Sequence, residues 1–196
     1  MKTVIGIGNY GKKYLGTRHN VGFEVVDQLA RQHGVQVSRK RFLSLTANIQ
    51  LGEEAVLLVK PQTYVNETGQ AVRQILDWFR LWPTDIMVVC DDASLPLGRG
   101  RVRRGGSSGG HKGLQSVIAH LGTEDFARLR VGIGEAEPGG MIDHVLSRFA
   151  PEEMESIEEV IWKAAEAVTV WATEGLEPSM NRFNSVGQEP GERPEV

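Results

Sequence analysis

At 196 residues the chain is long enough for one domain with a full core, and 40% hydrophobic with 24% charged residues marks it as globular. A net charge of −3 excludes a uniformly basic nucleic-acid binder. The single cysteine, Cys90, excludes a disulfide framework and fits a reducing cytoplasm, and no Cys/His cluster has zinc-ligand spacing.

Thr3–Ile7 reads as a buried strand, with no signal-peptide pattern at the amino end and no apolar run anywhere long enough to span a membrane. Gly6-Ile7-Gly8-Asn9-Tyr10-Gly11 then satisfies the dinucleotide fingerprint G-x-G-x-x-G. The context refuses it, because residues 12–17 read as loop where a helix must open on the pyrophosphate. The helix begins near Asn20, with Phe23, Val26, Leu29 and Ala30 on one face, and ends at Gly34. Between strand and helix lies Gly16-Thr17-Arg18-His19-Asn20-Val21-Gly22-Phe23. Two roles fit His19 there: a base held on a loop, or a cap on the helix that follows.

Arg39-Lys40-Arg41 is a compact basic cluster, and Leu43, Leu45, Ala47, Ile49 and Leu51 alternate as a half-buried strand. A turn at Gly52 and an apolar run from Ala55 to Val59 complete a hairpin, which makes the sheet mixed. Lys60-Pro61-Gln62-Thr63-Tyr64-Val65-Asn66-Glu67-Thr68-Gly69 leaves it as a loop, since Pro61 cannot extend the ladder. A helix carrying Val72, Ile75, Leu76 and Phe79 follows and is closed by Pro83. Ile86–Cys90, the most apolar strand, is expected at the centre and runs into Asp91-Asp92, where an α/β sheet places its site residues.

No acidic residue falls between Ala93 and Thr123, where Arg99, Arg101, Arg103, Arg104 and Lys112 all lie. Such segregation suits a polyanion, though exposed arginines on a strand also make a merely solvated face. The loop Gly105–Gly113 is no Walker motif, because Gly113 follows Lys112 in place of Ser or Thr. Its backbone N–H groups remain able to approach a phosphate. A helix with Leu114, Val117, Ile118 and Leu121 follows, then a strand from Arg128 to Gly134 and a loop from Glu135 to Gly140. Pro151 opens a last helix, ended by Gly175. Residues 1–187 read as one domain and 188–196 as a disordered tail.

Asn9, His19, Asn66 and Asp91 stand out by position, each where a strand or loop meets its neighbour. A histidine beside a carboxylate is a general base, and with no nucleophile-elbow serine or cysteine the attacking group would be water. Asparagine can accept and donate together, which suits a peptide carbonyl and amide.

These motifs make the chain resemble the bacterial peptidyl-tRNA hydrolase family from Met1 to about Phe183. The likeness is carried by Gly6-Ile7-Gly8-Asn9 with Tyr14, Thr17–Phe23, Lys60–Asn66, Asp91-Asp92 through Gly98, and Gly105–Gly113. The resemblance implies a single α/β domain with a mixed twisted β-sheet flanked by helices, of the phosphorylase/hydrolase-like kind. It implies hydrolysis of the ester between a peptide and the 3′ ribose of its tRNA, in the cytoplasm, by a monomer without metal or cofactor. His19 is then the catalytic base, Asp91 its partner, and Asn9 the sensor of a blocked aminoacyl nitrogen. Asn66, Tyr14, Tyr64 and Lys112 bind substrate and tRNA, with Arg99, Arg101, Arg103 and Arg104 as the basic patch for the acceptor arm. Plain packing is the other role open to Tyr64.

The chain departs from the family pattern at Tyr10, where proline is usual, at Val65, where methionine is usual, and at Lys112, where asparagine is usual. Lysine there keeps a donor and loses an acceptor. A non-catalytic RNA-binding relative, such as a chloroplast splicing factor, is the alternative. It would bind N-acetylaminoacyl-tRNA without releasing tRNA.

Overall fold

The computed structural model describes residues 1–185. The tail expected at 188–196, and the domain end at 187, lie outside them. Seven strands form one mixed sheet: β1 (Lys2–Gly6), β2 (Arg39–Arg41), β3 (Ser44–Leu51), β4 (Glu54–Pro61), β5 (Ile86–Asp92), β6 (Gly100–Arg103) and β7 (Ala127–Gly132). Their order is β2-β3-β4-β1-β5-β7-β6. The four inner strands β4, β1, β5 and β7 are parallel, and the outer pairings are antiparallel. Parallel inner strands bring the carboxyl ends of β1, β4 and β5 to one edge, so the loops that leave them can share a site.

Period-two alternation sends each strand's side chains to opposite layers. Val4, Leu58, Met87 and Val89 face α1 (Val21–Gln32) and α5 (Met154–Glu174). Ile5, Leu57, Val59, Val88 and Cys90 face α2 (Thr68–Phe79) and α3 (Lys112–Leu121). Burial of each large aliphatic side chain contributes about 1.5–3 kcal/mol, so the two cores supply most of the favourable free energy.

Two helices fall outside the sequence expectation. α4 (Met141–Leu146) interrupts the stretch after the Glu135–Gly140 loop, and α6 (Leu176–Ser185) continues beyond Gly175. Pro178 sits in the first turn of α6, where a missing N–H breaks no helical hydrogen bond. α2 stops at Phe79 rather than near Pro83, because Arg80 turns left-handed at φ 54°. Leu43, expected on the inner face of a strand, is instead in the two-residue hairpin turn with Phe42 and is exposed. Both turn residues have positive φ, 53° and 52°, the type I′ pattern that favours Asn-Gly. A side chain in that region costs on the order of 1–2 kcal/mol.

α1 crosses the sheet at very close range. A Cβ on Gly22 would lie 2.5 Å from the Val89 carbonyl oxygen and 2.6 Å from that of Ile7. Both obstacles are buried backbone, in β5 and just past the end of β1, and cannot swing aside. Gly22→Ala should therefore cost roughly 1–3 kcal/mol, read as a lower urea midpoint at unchanged m-value.

Candidate active site

β5 ends in two buried carboxylates, and Asp91 accepts two imidazoles on one oxygen. His19 Nδ1 lies 2.7 Å from Asp91 Oδ1, and His111 Nε2 lies 3.0 Å from the same atom. His19 comes from the 3-10 turn Arg18–Asn20 that leads into α1, and His111 from the end of the glycine loop, as the residue that caps α3.

The cap fixes the proton positions. His111 Nδ1 accepts the backbone N–H groups of Gly113 at 3.1 Å and Leu114 at 3.3 Å, so it carries no proton. Its Nε2–H therefore donates to Asp91. Burial alone would raise the pKa of Asp91, but His111 and then His19 outweigh it and leave the carboxyl well below its usual range. An ionised Asp91 only accepts, so His19 donates from Nδ1 and keeps the lone pair of Nε2 free. These three side chains could by distance hold a divalent ion, their ligand atoms lying within 4.8 Å of one another. The cap opposes it: a metal on His111 Nε2 would push the proton to Nδ1, against two backbone N–H groups.

Around this cluster is an open groove of about 680 Å³. His19, Asp91, Asn9, Asn66, Tyr64 and Lys112 all line it, and α4 closes one side with Met141, Ile142, Val145 and Leu146. Tyr14 is absent from the lining. It lies on the outer turn, with the Lys13 ammonium 4.7 Å over its ring. Tyr10, also outside the lining, is the ring that stands beside Tyr64, their centroids 5.2 Å apart. Proximity to Tyr64 is the leading reason that the Tyr10 hydroxyl has a raised pKa.

Asn9 is held on every side but one. Asn20 is buried and clamps its backbone, Oδ1 accepting the Asn9 N–H at 2.8 Å and Nδ2 donating to the Asn9 carbonyl at 3.0 Å. Asn9 Oδ1 in turn accepts the Val65 N–H at 3.2 Å, which ties the β1 loop to the β4 loop. Asn9 Nδ2 has no partner among the described residues and is available as a donor in the groove that Asn9 lines. Arg18 points the other way and anchors the histidine turn: it reaches Ile133 O at 3.0 Å and Glu153 at 2.6 Å, and lies over Phe149. Arg18 is the leading cause of a lowered Glu153 pKa.

The basic stretch divides. Arg101 and Arg103 stand opposite Arg130 and Arg128 in the β6–β7 register and share one face, with both β6 arginines exposed. Arg128 is buried, holds the glycine loop through Gly106 O and Ser107 O, and ties it to Glu124 O just before β7. Its guanidinium pKa is lowered by burial first. Arg130 lies 3.3 Å from Asp92 and reaches Ser108 O. Arg104 instead pairs with Glu177 of α6, and Arg99 lines a separate hollow beside Glu159 and Phe183.

His111 and Asn20 carry as much of this geometry as the residues singled out from sequence. The available signal was a histidine at the end of a glycine run, directly before a helix, where a side-chain acceptor is wanted.

A groove at the carboxyl ends of parallel strands, with a hydrogen-bonded imidazole and carboxylate at its floor, is the layout of an α/β-fold enzyme. The family model of peptidyl-tRNA hydrolase matches residues 3–191. Peptidyl-tRNA hydrolase of Desulforudis audaxviator is 49% identical over 185 residues, 94% of each chain. That of Syntrophomonas wolfei is 45% identical over 184 residues, 94% of this chain and all of the relative. The crystal structure of peptidyl-tRNA hydrolase from Acinetobacter baumannii superposes with a TM-score of 0.89 at 30% identity, covering 94% of this chain and 95% of that one. The chain belongs to the peptidyl-tRNA hydrolase family.

Because the folded pKa of Asp91 lies below its unfolded value near 3.9, the folded state binds fewer protons in acid. The resulting stability is complete above about pH 5 and fades as pH falls below it. The urea midpoint of the wild type should drop more steeply between about pH 5 and pH 2 than that of Asp91→Asn, which has no such proton to take up. Parallel curves would show the two imidazoles do not hold Asp91 ionised.

Proposed function

We propose that the chain hydrolyses the ester joining a peptide, or an N-blocked amino acid, to the 3′ ribose of tRNA, with His19 as general base on water. The observation that carries this reading is the 2.7 Å hydrogen bond from His19 Nδ1 to an ionised, buried Asp91 at the floor of an open groove. His19 Nε2 takes a proton as water attacks the ester carbonyl, and Asp91 stabilises the imidazolium that forms. Asn66 has no internal hydrogen bond among the described residues, so its amide is free to donate to the developing oxyanion, a task typically worth about 3–4 kcal/mol. The imidazolium then returns the proton to the leaving ribose oxygen.

Asn9 discriminates through its one free group. Nδ2 donates to the carbonyl of a blocked aminoacyl nitrogen, whereas a free ammonium offers only further donors and leaves the site unpaired. This narrows the expectation from an amide in general to its carbonyl oxygen. Tyr64, with Tyr10 beside it, offers ring faces to the 3′ end, and Tyr14 has a peripheral part in this arrangement. Lys112, at the start of α3, contacts phosphate, as do Arg101 and Arg103. Arg99 and Arg104 have other surroundings and add little to this contact.

The test is release of free tRNA from N-acetylaminoacyl-tRNA. His19→Ala should lower kcat by roughly 10²–10⁴-fold while tRNA affinity stays within a factor of about two. Turnover that survives the substitution rejects the base assignment, and tight binding with no release by the wild type points to the non-catalytic relative. In the salt dependence of tRNA affinity, Arg101→Gln with Arg103→Gln should reduce the log–log slope by about 1.8, two phosphate contacts at about 0.9 each. An unchanged slope removes those two arginines from the interface.

A further inference from the structure

The β2–β3 hairpin turn is built against conformational preference. Phe42 and Leu43 both hold positive φ, and strain kept at two successive apolar residues points to a use for their side chains. Leu43 is 46% exposed, and Trp78 at the carboxyl end of α2 is 65% exposed. The Arg41 guanidinium lies 4.7 Å over the Phe42 ring and 5.4 Å from that of Trp78, and the two rings are 5.8 Å apart. Arg39, Lys40 and Arg41 make up the edge strand β2. Among the described residues none of them has a carboxylate within 4.0 Å. Asp77, the acidic neighbour of Trp78, is paired with Arg73. The corner adjoins the groove, since Gln62 N–H donates to the Leu43 carbonyl at 2.7 Å, two residues before Tyr64.

We infer that Arg39–Leu43 and Trp78 form a contact for unpaired RNA outside the catalytic groove. Bases stack on Trp78 and on the apolar turn, and phosphates pair with Arg39 and Arg41, which share the Trp78 face of β2 while Lys40 alternates to the other. Ring faces beside unneutralised cations match the two surfaces that single-stranded RNA offers. A bilayer fits less well: Val72, Ile75 and Leu76 of α2 are buried, which leaves two indoles, Trp78 and Trp82 just past the helix, and one leucine as the exposed apolar groups. A second copy of the chain would bring like charges together. The inference does not rest on the catalytic reading, because none of these residues takes part in that chemistry.

The probe is a labelled decanucleotide of uridylate, titrated against the intact chain by fluorescence anisotropy at low salt. Trp78→Ala should weaken binding about tenfold, the loss of one stacked base. Phe42→Asn with Leu43→Gly should raise the melting temperature by roughly 2–4 °C as the turn relaxes, and should weaken binding as well. A turn with only a structural role would gain stability and keep its affinity. Unchanged affinity in both variants overturns the inference, as does binding that depends on Arg101 and Arg103 alone. Preference for phosphatidylserine vesicles over RNA, or self-association abolished by Trp78→Ala, would assign the corner to a membrane or to a second copy instead.

Discussion

Asp91 is a carboxylate almost sealed from water at the end of the inner strand β5, next to the middle strand β1, and such a charge persists only where its partners outweigh desolvation. Two imidazole N–H groups meet it on one oxygen, one from the turn before α1 and one from the cap of α3. The consequences run outward from there. An ionised Asp91 requires the proton of His19 on Nδ1, which frees Nε2. The proton of His111 on Nε2 leaves Nδ1 to satisfy the first N–H groups of α3. One buried anion thus sets a tautomer on each side of the sheet and joins a helix start to a strand end.

Such a junction needs backbones nearer than ordinary side chains permit. A Cβ on Gly6 would stand 2.2 Å from the Gly22 carbonyl oxygen, so β1 and α1 touch main chain to main chain. This is why the first glycines mimic a dinucleotide fingerprint without serving one. They satisfy the same demand for close strand–helix approach, while the third glycine leads into a turn at φ 102° rather than a helix. Asn20 then closes the gap with two hydrogen bonds to the Asn9 backbone, and Asn9 spends its own oxygen on Val65. What Asn9 leaves unspent among the described residues is its amide NH2 group.

Patterns that act within a few residues were legible in the chain. Alternation and apolar runs placed β1, β3, β4 and β5, and helical periodicity placed α1, α2, α3 and α5. Contacts between distant segments left no local trace. His111 sits 20 residues from Asp91 and 92 from His19, and nothing nearby marks the shared oxygen. The arginines read as one patch by proximity in sequence, yet the strand sends Arg101 and Arg103 to one face, while Arg104 pairs with Glu177 of α6 and Arg99 turns to a separate hollow. The exposed Leu43 looked like part of an alternating strand because a type I′ turn is ordinarily announced by Asn-Gly, which is missing here.

The split also segregates the two signs of charge in a chain whose net charge is −3. Glu152, in the turn before α5, and Glu155, Glu158 and Glu159, in its first turns, lie exposed in the layer that covers the Val102 face of the sheet. Arg101 and Arg103 point to the opposite face, because neighbouring positions on a strand alternate. A sheet and a helix layer separate the two groups by roughly 20 Å, two layers of about 10 Å. The Debye length at physiological salt is only about 8 Å, so the acidic face is screened from a phosphate approaching the basic one. Net charge is therefore the wrong quantity for this protein, and the sheet itself is the insulator that lets both signs coexist.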